Sequence, residues 1–337
     1  MTETAHLPAP APAADHRPSA ARRALRVLAV LACLPYIALK VVWVAGGKLG
    51  IPAGSVLLEH PRMMVIVNAV SVVADVLVVV LALLLTQAWG RRFPAWLLAL
   101  PMWAATGLLT PIMAGYPAQL AVALVTGDEK AAAPADPFLD EWVFGVVYGG
   151  FILQGLALGT LFALYARDRW SPLWQGRLGE LSARASGLGT RALAVAGAVV
   201  ALVPATLHVL WAAGSTTGLS TRLIAERDSD DYVLEANRFL FIAVAVAFTL
   251  FLALRRPARL RVRTALALAW TASGAVGCWG AYLSLVALLP DPDPSKHVPG
   301  LVQLSYAGDM ITGFLLAASV AAFLKKSTAL RRRSAGA

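Results

Sequence analysis

Charged residues are scarce in this chain of 337 residues: Asp, Glu, Lys and Arg together make up 14%. Soluble globular domains carry about 25%. Hydrophobic residues reach 58%, and the mean hydropathy is +0.68. The composition therefore excludes a soluble globular protein. We interpret the formal net charge of +10 as a determinant of membrane topology rather than as a nucleic-acid-binding surface, because the apolar segments set the class first.

Cysteine is almost absent: Cys33 and Cys278 lie in apolar segments, without CxxC or Cys/His spacing. Neither a disulfide framework nor a zinc site is expected. The sequence lacks Walker A, HExxH and GxSxG motifs, so ATPase, metalloprotease and serine hydrolase activities have no support. His208 is the only histidine within an apolar segment, which excludes a haem held by two histidines. We predict no cofactor and no metal ion.

Long apolar runs are what the chain has in abundance. A bilayer core needs about 20 mostly apolar residues per helix. Runs of that length predict an all-α, polytopic membrane protein with eight transmembrane helices, near residues 24–46, 63–88, 93–115, 142–166, 191–213, 238–254, 263–289 and 303–324. The lipid bilayer is the expected partner, with no nucleic acid. A small-molecule or protein partner stays unidentified.

Basic residues are distributed unequally between the two ends of these spans. Of the 29 Lys and Arg residues, 21 lie in the two terminal tails and in the loops near 89–92, 167–191 and 255–263. The positive-inside rule therefore predicts that both termini are cytoplasmic. The excess of Arg over Lys and the many Ala residues are typical of a GC-rich bacterial genome. We expect the protein in a bacterial cytoplasmic membrane.

The segments outside the spans complete the predicted organisation. Residues 1–21 are rich in Ala and Pro and predict a disordered cytoplasmic tail, although the arginines before the first span also allow a cleaved signal peptide. Residues 167–190 carry Trp and Leu at helical spacing among arginines. This linker is either an interfacial helix on the cytoplasmic leaflet or a loop anchored by tryptophans. Residues 327–337 form a basic cytoplasmic tail.

The chain contains an internal repeat of four spans, 22–166 and 191–326. Leu39 to Ile51 aligns without gaps to Leu207 to Leu219, with six of thirteen positions identical. Residues 58–62 likewise match residues 234–238. The repeat predicts two parallel halves, because four spans are an even number and leave both halves in one orientation. Further matches in the same order are Trp103 with Trp279, Tyr148 with Tyr306, and Gly155 with Gly313.

The stretch LHVLWAAG from Leu207 to Gly214 resembles the HxxWxxG motif in the first helix of small four-helix bacterial membrane proteins of unknown function. The chain is similar to two such units fused in tandem. The first half departs from the motif, because Lys40 stands where His208 stands in the second. The resemblance implies the fold and no activity.

Ionisable residues within the spans are costly and mark functional candidates. Lys40, His208 and Asp309 lie at similar predicted depths, so we expect Asp309 to pair with His208 or Lys40. The predicted site is an outward-facing polar pocket between the repeats. Each residue also has a structural interpretation, such as a lysine that snorkels to the headgroups or a histidine that is only hydrogen-bonded. The proposed lining comprises Lys40, His208, Asp309, Tyr148, Tyr306 and Gln154.

Other polar residues form two further candidate groups. Asp75 lies near the middle of the second span, with Asn68 on the same helical face, and this pair predicts an intramembrane proton or cation relay. The alternative is a protonated, hydrogen-bonded structural Asp75. Two outer-mouth ion pairs are predicted from spacings of three residues: Glu59 with Arg62, and Glu235 with Arg238.

The third apolar region is too long for one span and too short for two. A helix break between Pro111 and Pro117 would place residues 111–126 in a short re-entrant helix or in a segment flat on the outer surface. Trp43 and Trp211 are expected in the aromatic belt at the outer interface.

Three functions fit these features. The first is small-molecule or ion binding and transport through the pocket between the repeats. The second is an intramembrane enzyme that acts on a lipid-soluble substrate, with His208 and Asp309 as acid and base. The third is a non-catalytic membrane partner subunit. A cavity that continues toward Asp75 would favour transport, and a titratable pair beside an apolar slot would favour the enzyme.

Overall fold

A computed structural model describes residues 19–58, 61–126, 139–289 and 297–335 of the chain. The described residues form α-helices, short 3-10 turns and irregular connections, and no β-strand occurs among them. The helices are α1 (Ala20–Val44), α2 (Pro61–Thr86), α3 (Ala95–Thr126), α4 (Glu141–Trp170), α5 (Leu188–Val200), α6 (Leu202–Ala212), α7 (Thr221–Ala225), α8 (Ser229–Leu254), α9 (Val262–Ala287) and α10 (Gly300–Ala335).

Within the described parts of the chain, seven helical segments are long and apolar enough to cross a bilayer: α1, α2, α3, α4, α5 together with α6, α8 and α10. Helices α5 and α6 act as one segment because only Ala201 separates them. The chain is therefore an all-α protein with the composition and helix lengths of a multi-pass membrane protein.

Helix α9 lies at the position of the remaining predicted span, 263–289, but is not among the seven segments that are long and apolar enough to cross a bilayer. Eleven of its 26 residues are buried, many of them Ala or Gly. It packs against α3, α8 and α10, and a Cβ on Gly277 would lie 3.2 Å from Cα of Gly313. A helix that is enclosed by other helices is stabilised by close packing, which small residues allow and large apolar side chains would prevent.

Two clusters of buried residues lie in different parts of the bundle. Leu81, Leu98 and Leu158 belong to a cluster among α1, α2, α3 and α4. Leu252, Ala269 and Phe323 belong to another among α8, α9 and α10. Helices α3 and α9 join the two parts, and a tryptophan on each donates a hydrogen bond to the other helix: Trp103 Nε1 to Ser273 Oγ at 3.3 Å and Trp279 Nε1 to Leu108 O at 3.0 Å.

The predicted break in the third apolar region is wrong: α3 continues as a helix through Pro111 and Pro117 to Thr126. Proline has no backbone N–H to donate, and side chains donate hydrogen bonds to backbone carbonyl oxygens in this part of the helix. The Thr110 hydroxyl donates to Thr106 O at 2.6 Å, and Asn237 of α8 donates to Pro111 O at 3.2 Å. Residues 111–126 are therefore neither a re-entrant segment nor a separate surface helix.

The predicted interfacial helix in the linker 167–190 is also wrong. Helix α4 ends at Trp170, and 3-10 turns follow at 171–174, 178–180 and 183–186. Leu178 is completely buried with Val262 and Phe323, and its N–H donates to Leu260 O at 2.9 Å. The linker is a folded cap over the ends of α8, α9 and α10, which corresponds more closely to the alternative of an anchored loop.

Trp43 and Trp211, expected in an aromatic belt, are buried within the protein. Trp43 Nε1 donates to Leu49 O at 2.8 Å, and Trp211 Nε1 donates to Thr217 O at 3.0 Å. Each indole therefore fastens the turn that follows its own helix.

The tails differ from their predicted extents. Residues 1–18, which include most of the predicted disordered tail, lie outside the described residues, and α1 begins at Ala20. Helix α10 continues to Ala335, so the predicted basic tail from 327 onward is helical over most of its length.

Replacement of Leu178 by Ala should destabilise the protein by about 2–5 kcal/mol, because truncation of a buried leucine loses burial and leaves a cavity. Leu188→Ala is the matched control, since Leu188 is 85% exposed. Thermal unfolding of the purified protein in detergent should show a lower melting temperature only for Leu178→Ala. Equal stability of both variants would contradict a packed linker.

Candidate functional site

A buried histidine lies between two carboxylates on neighbouring helices. His208 of α6 is 0% exposed. Its Nε2 lies 3.0 Å from Asp309 Oδ2 on α10, and its Nδ1 contacts Glu235 Oε2 on α8. An imidazolium satisfies both carboxylates, because it carries an N–H donor on each ring nitrogen. The expected proximity of His208 and Asp309 is therefore present, and Glu235 is the partner that sequence reasoning did not assign to His208.

Glu235 links the histidine to a cation. Its Oε1 accepts a hydrogen bond from Arg238 Nη1 at 3.3 Å, across the i, i+3 spacing predicted from the sequence. The guanidinium of Arg238 lies over the ring of Tyr306, 5.6 Å from its centroid. Asp309, His208, Glu235, Arg238 and Tyr306 thus form one chain of polar contacts, called here the His208 cluster.

Arg227 holds the backbone at the end of α6, next to the His208 cluster, and sequence reasoning missed this role. Its guanidinium donates to Ser215 O at 2.9 Å and also to Trp211 O. It also stacks over the ring of Tyr232, 4.4 Å from its centroid. A basic residue directly before the acidic run that begins at Asp228 was the available sequence signal.

Lys40 does not join this cluster, contrary to the prediction. Its Nζ lies 3.2 Å from Asp75 Oδ2 on α2 and 3.4 Å from the ring centroid of Tyr36. The side chains of Lys40 and Asp75 are only 4% and 8% exposed, so the lysine does not snorkel outward. A buried ammonium needs a counter-charge at its own depth, and Asp75 supplies it.

The predicted relay of Asp75 and Asn68 is not assembled as expected. Asn68 Nδ2 donates to Met64 O in its own helix at 2.8 Å. Asp75 instead makes the ion pair with Lys40. The polar face of α2 is therefore divided between a local backbone hydrogen bond and an ion pair that joins α1 to α2.

Gln154 also lies elsewhere, because its Nε2 donates to Cys33 Sγ at 3.2 Å between α4 and α1. Of the two predicted outer-mouth pairs, Glu235 with Arg238 is present, with Arg238 Nη1 3.3 Å from Glu235 Oε1. Glu59 lies outside the described residues, as does the side chain of Arg62.

A cavity of about 280 Å³ lies where α3, α4, α8, α9 and α10 meet. Ligand pockets usually measure about 300–1,000 Å³, so this volume suits a small molecule. Most of the wall is apolar. The polar lining residues are Gln119, Asn237, Arg238 and Asp309, and the aromatic ones are Tyr116, Tyr148, Phe241 and Trp279. Lys40, Gln154 and Tyr306 are not among the lining residues, and the ring of Tyr306 contacts the lining residue Arg238.

The two oxygens of Asp309 have different surroundings. Oδ2 contacts His208. Oδ1 is buried and has no hydrogen-bond partner among the described residues, although Asp309 lines the cavity. A buried carboxylate oxygen without a partner is costly. Asp309 therefore brings to the cavity wall a carboxylate with one oxygen that lacks a hydrogen-bond partner among the described residues.

No protein-family model matches the chain, and the searches of curated proteins and of solved structures give no significant match.

The ion pair of Lys40 and Asp75 predicts a specific pattern of stabilities. Asp75→Leu alone should destabilise the protein by about 3–5 kcal/mol, because it leaves an unpaired buried ammonium. The double variant Lys40→Met with Asp75→Leu should recover most of that loss, since both buried charges are removed. Melting temperatures in detergent measure both effects. A double variant no more stable than Asp75→Leu would show that the charges act separately.

Proposed function

We propose that the protein binds a small molecule in the central cavity and carries it across a bacterial cytoplasmic membrane. The observation that carries this proposal is Asp309, a buried carboxylate that lines the cavity with one unfilled oxygen. The residues around it come from both halves of the chain. Ligand sites of transporters commonly lie at the interface between repeated halves.

The proposed architecture has eight spans in two four-helix halves. Helix α9 serves as the additional span, because its 26 residues rise about 39 Å, enough to cross a hydrocarbon core of roughly 30 Å. The first half consists of α1 to α4. The second consists of α5 with α6, followed by α8, α9 and α10.

Matching turns support the duplication. Gly46 and Gly214 have φ of 88° and 95°, while Gly50 and Gly218 both have φ of 73°. These pairs have the spacing of the aligned stretches that begin at Leu39 and Leu207. Left-handed turns of this kind strongly favour glycine.

Helix contacts next to these turns support the same alignment. The Cβ position of Gly50 faces Trp142 of α4 at 3.0 Å, and that of Gly218 faces Leu301 of α10 at 2.7 Å. The end of the first helical segment thus packs on the start of the last helix in each half. A tandem fusion of two HxxWxxG units is consistent with these contacts.

Charge supports the orientation. The folded linker and the loop after α8 carry many of the arginines, and they pack together through Leu178 and Leu260. We assign this basic end, with both termini, to the cytoplasm. The aligned turns and the His208 cluster then face the opposite side, close to the outer surface.

An intramembrane enzyme is the second candidate, because His208 and Asp309 are within hydrogen-bond distance beside a mostly apolar cavity. Both ring nitrogens of His208 already contact carboxylates, so the histidine is not available as a direct base. The cavity lining does not include Asp75, so a transport path would leave the cavity by another route. Binding followed by transport requires only the carboxylate that faces the cavity.

Water access to the cavity tests this function. In a background with Cys33→Ala and Cys278→Ala, we expect Gln119→Cys to react with a membrane-impermeant methanethiosulfonate reagent added from outside intact cells. Gln119 lines the cavity, and a transport site must open to water. Labelling is measured as loss of a later maleimide-dye signal.

Ala269→Cys is the control, because Ala269 is 0% exposed within a packed cluster and should stay unlabelled. Lack of labelling of Gln119→Cys from either side of the membrane would reject a transport cavity.

A further inference from the structure

We infer that the ligand of the central cavity is a small organic cation, an amine in its ammonium form, whose binding to Asp309 releases a proton from the His208 cluster. This inference rests on the proposed function and adds the substrate class and its coupling to protons. It follows from the unfilled acceptor, the aromatic wall and the charge balance of the buried groups.

The first step concerns which charged group of the cavity wall is free. Arg238 is already engaged by Glu235 at 3.3 Å and by the ring of Tyr306. Asp309 Oδ1 has no hydrogen-bond partner among the described residues. The cavity wall therefore combines a carboxylate that has one unpaired oxygen with a guanidinium that is already engaged. A ligand N–H satisfies that acceptor, and an ammonium does so with opposite charge.

The second step concerns the aromatic side chains around the cavity. Tyr116 of α3 and Tyr148 of α4 lie with ring centroids 4.6 Å apart, and Trp279 of α9 lines the same cavity. The indole N–H of Trp279 is bound to Leu108 O, so a ligand in the cavity can contact this residue only through its ring. Aromatic faces attract alkylammonium groups and not carboxylates.

Acidic residues lie close to the cavity at the start of α8. Asp228 caps the helix, and Asp230 and Asp231 occupy its first turn. Leu234 and Asn237 of the following turns line the cavity. A negative potential at this position raises the local concentration of cations.

The third step is the charge balance of the His208 cluster. With an imidazolium, the positive charges of His208 and Arg238 balance the negative charges of Asp309 and Glu235. Other groups that face the cluster come from several elements, and α9 contributes no charged residue beyond Arg263. These groups are Arg227 before α8, Asp231 of α8, Tyr306 of α10, and Tyr116 and Tyr148 across the cavity.

A bound ammonium would leave the cluster with an excess positive charge, which is unfavourable in a low-dielectric interior. Loss of one proton restores the balance. The Nε2–H bond of His208 breaks, and the proton passes through Asp309 to water in the cavity. Neutral His208 keeps its Nδ1–H on Glu235, while the ligand ammonium takes over the negative charge of Asp309.

Isothermal titration calorimetry of the full chain in detergent tests this inference with three probes of similar size: 2-phenylethylammonium, 2-phenylethanol and phenylacetate. We expect only the cation to bind well. Titrations in phosphate and in Tris, which differ in ionisation enthalpy, should give about one proton released per cation bound. Through this linkage the affinity should rise about tenfold per pH unit while the cluster is protonated.

Two variants separate binding from proton coupling. Asp309→Asn should abolish the preference for the cation, together with proton release. His208→Gln keeps a hydrogen-bonding group without a titratable proton, so it should bind the cation with no proton release and no pH dependence. Glu141→Gln, an exposed carboxylate at the start of α4, is the control and should behave as the unmodified protein. The pH series needs no variant, so it remains informative if a variant does not fold.

The outcomes distinguish the two levels of the proposal. Stronger binding of phenylacetate or 2-phenylethanol than of the cation would overturn the cationic ligand while supporting a binding cavity. Cation binding without proton release, or release that persists in His208→Gln, would overturn the coupling. If no probe binds although Gln119→Cys is labelled, the ligand class is wrong and the accessible cavity stands. A cavity that is also unlabelled would reject the proposed function itself.

Discussion

Charge burial between helices is the constraint on which the structure around the cavity depends. His208 is completely buried, and each of its ring nitrogens contacts a carboxylate on a different helix. These contacts hold α6, α8 and α10 together at one depth. Arg238 then compensates Glu235, so the group is stable only as an assembled set. Removal of one member leaves an uncompensated charge in an apolar interior, which costs far more than a surface ion pair contributes.

The two proposed halves provide different partners for the buried cationic side chains at aligned positions. Lys40 pairs with Asp75 on α2 and contacts Tyr36. His208, its counterpart in the alignment, pairs with residues of α8 and α10. Lys40 and Asp75 therefore neutralise each other. In the His208 cluster, Asp309 lines the cavity and its Oδ1 has no partner among the described residues, so we propose that the ligand site belongs mainly to the second half.

Close packing of small residues brings the parts of the bundle together around this site. Glycines of α9 meet α3 and α10 at distances that a larger side chain would not permit. Helix α3 continues through its prolines, and in this part of the helix threonine hydroxyls and the Asn237 amide donate to backbone carbonyl oxygens.

The sequence by itself determined that the chain has the composition of a membrane protein, where its apolar helical segments lie, and which ionisable residues fall within them. Apolar runs and the charges inside them are local properties of the sequence. It placed His208 and Asp309 at one depth, since distance along a helix follows from residue number. Tertiary structure decided which residues become partners, which depth alone does not determine. Lys40 and His208 have similar depth but different partners. It also folded the linker around Leu178 and gave Trp43 and Trp211 carbonyl partners in their turns. Those outcomes depend on which helices are neighbours, and the periodicity of one helix carries no information about the side chains that face it.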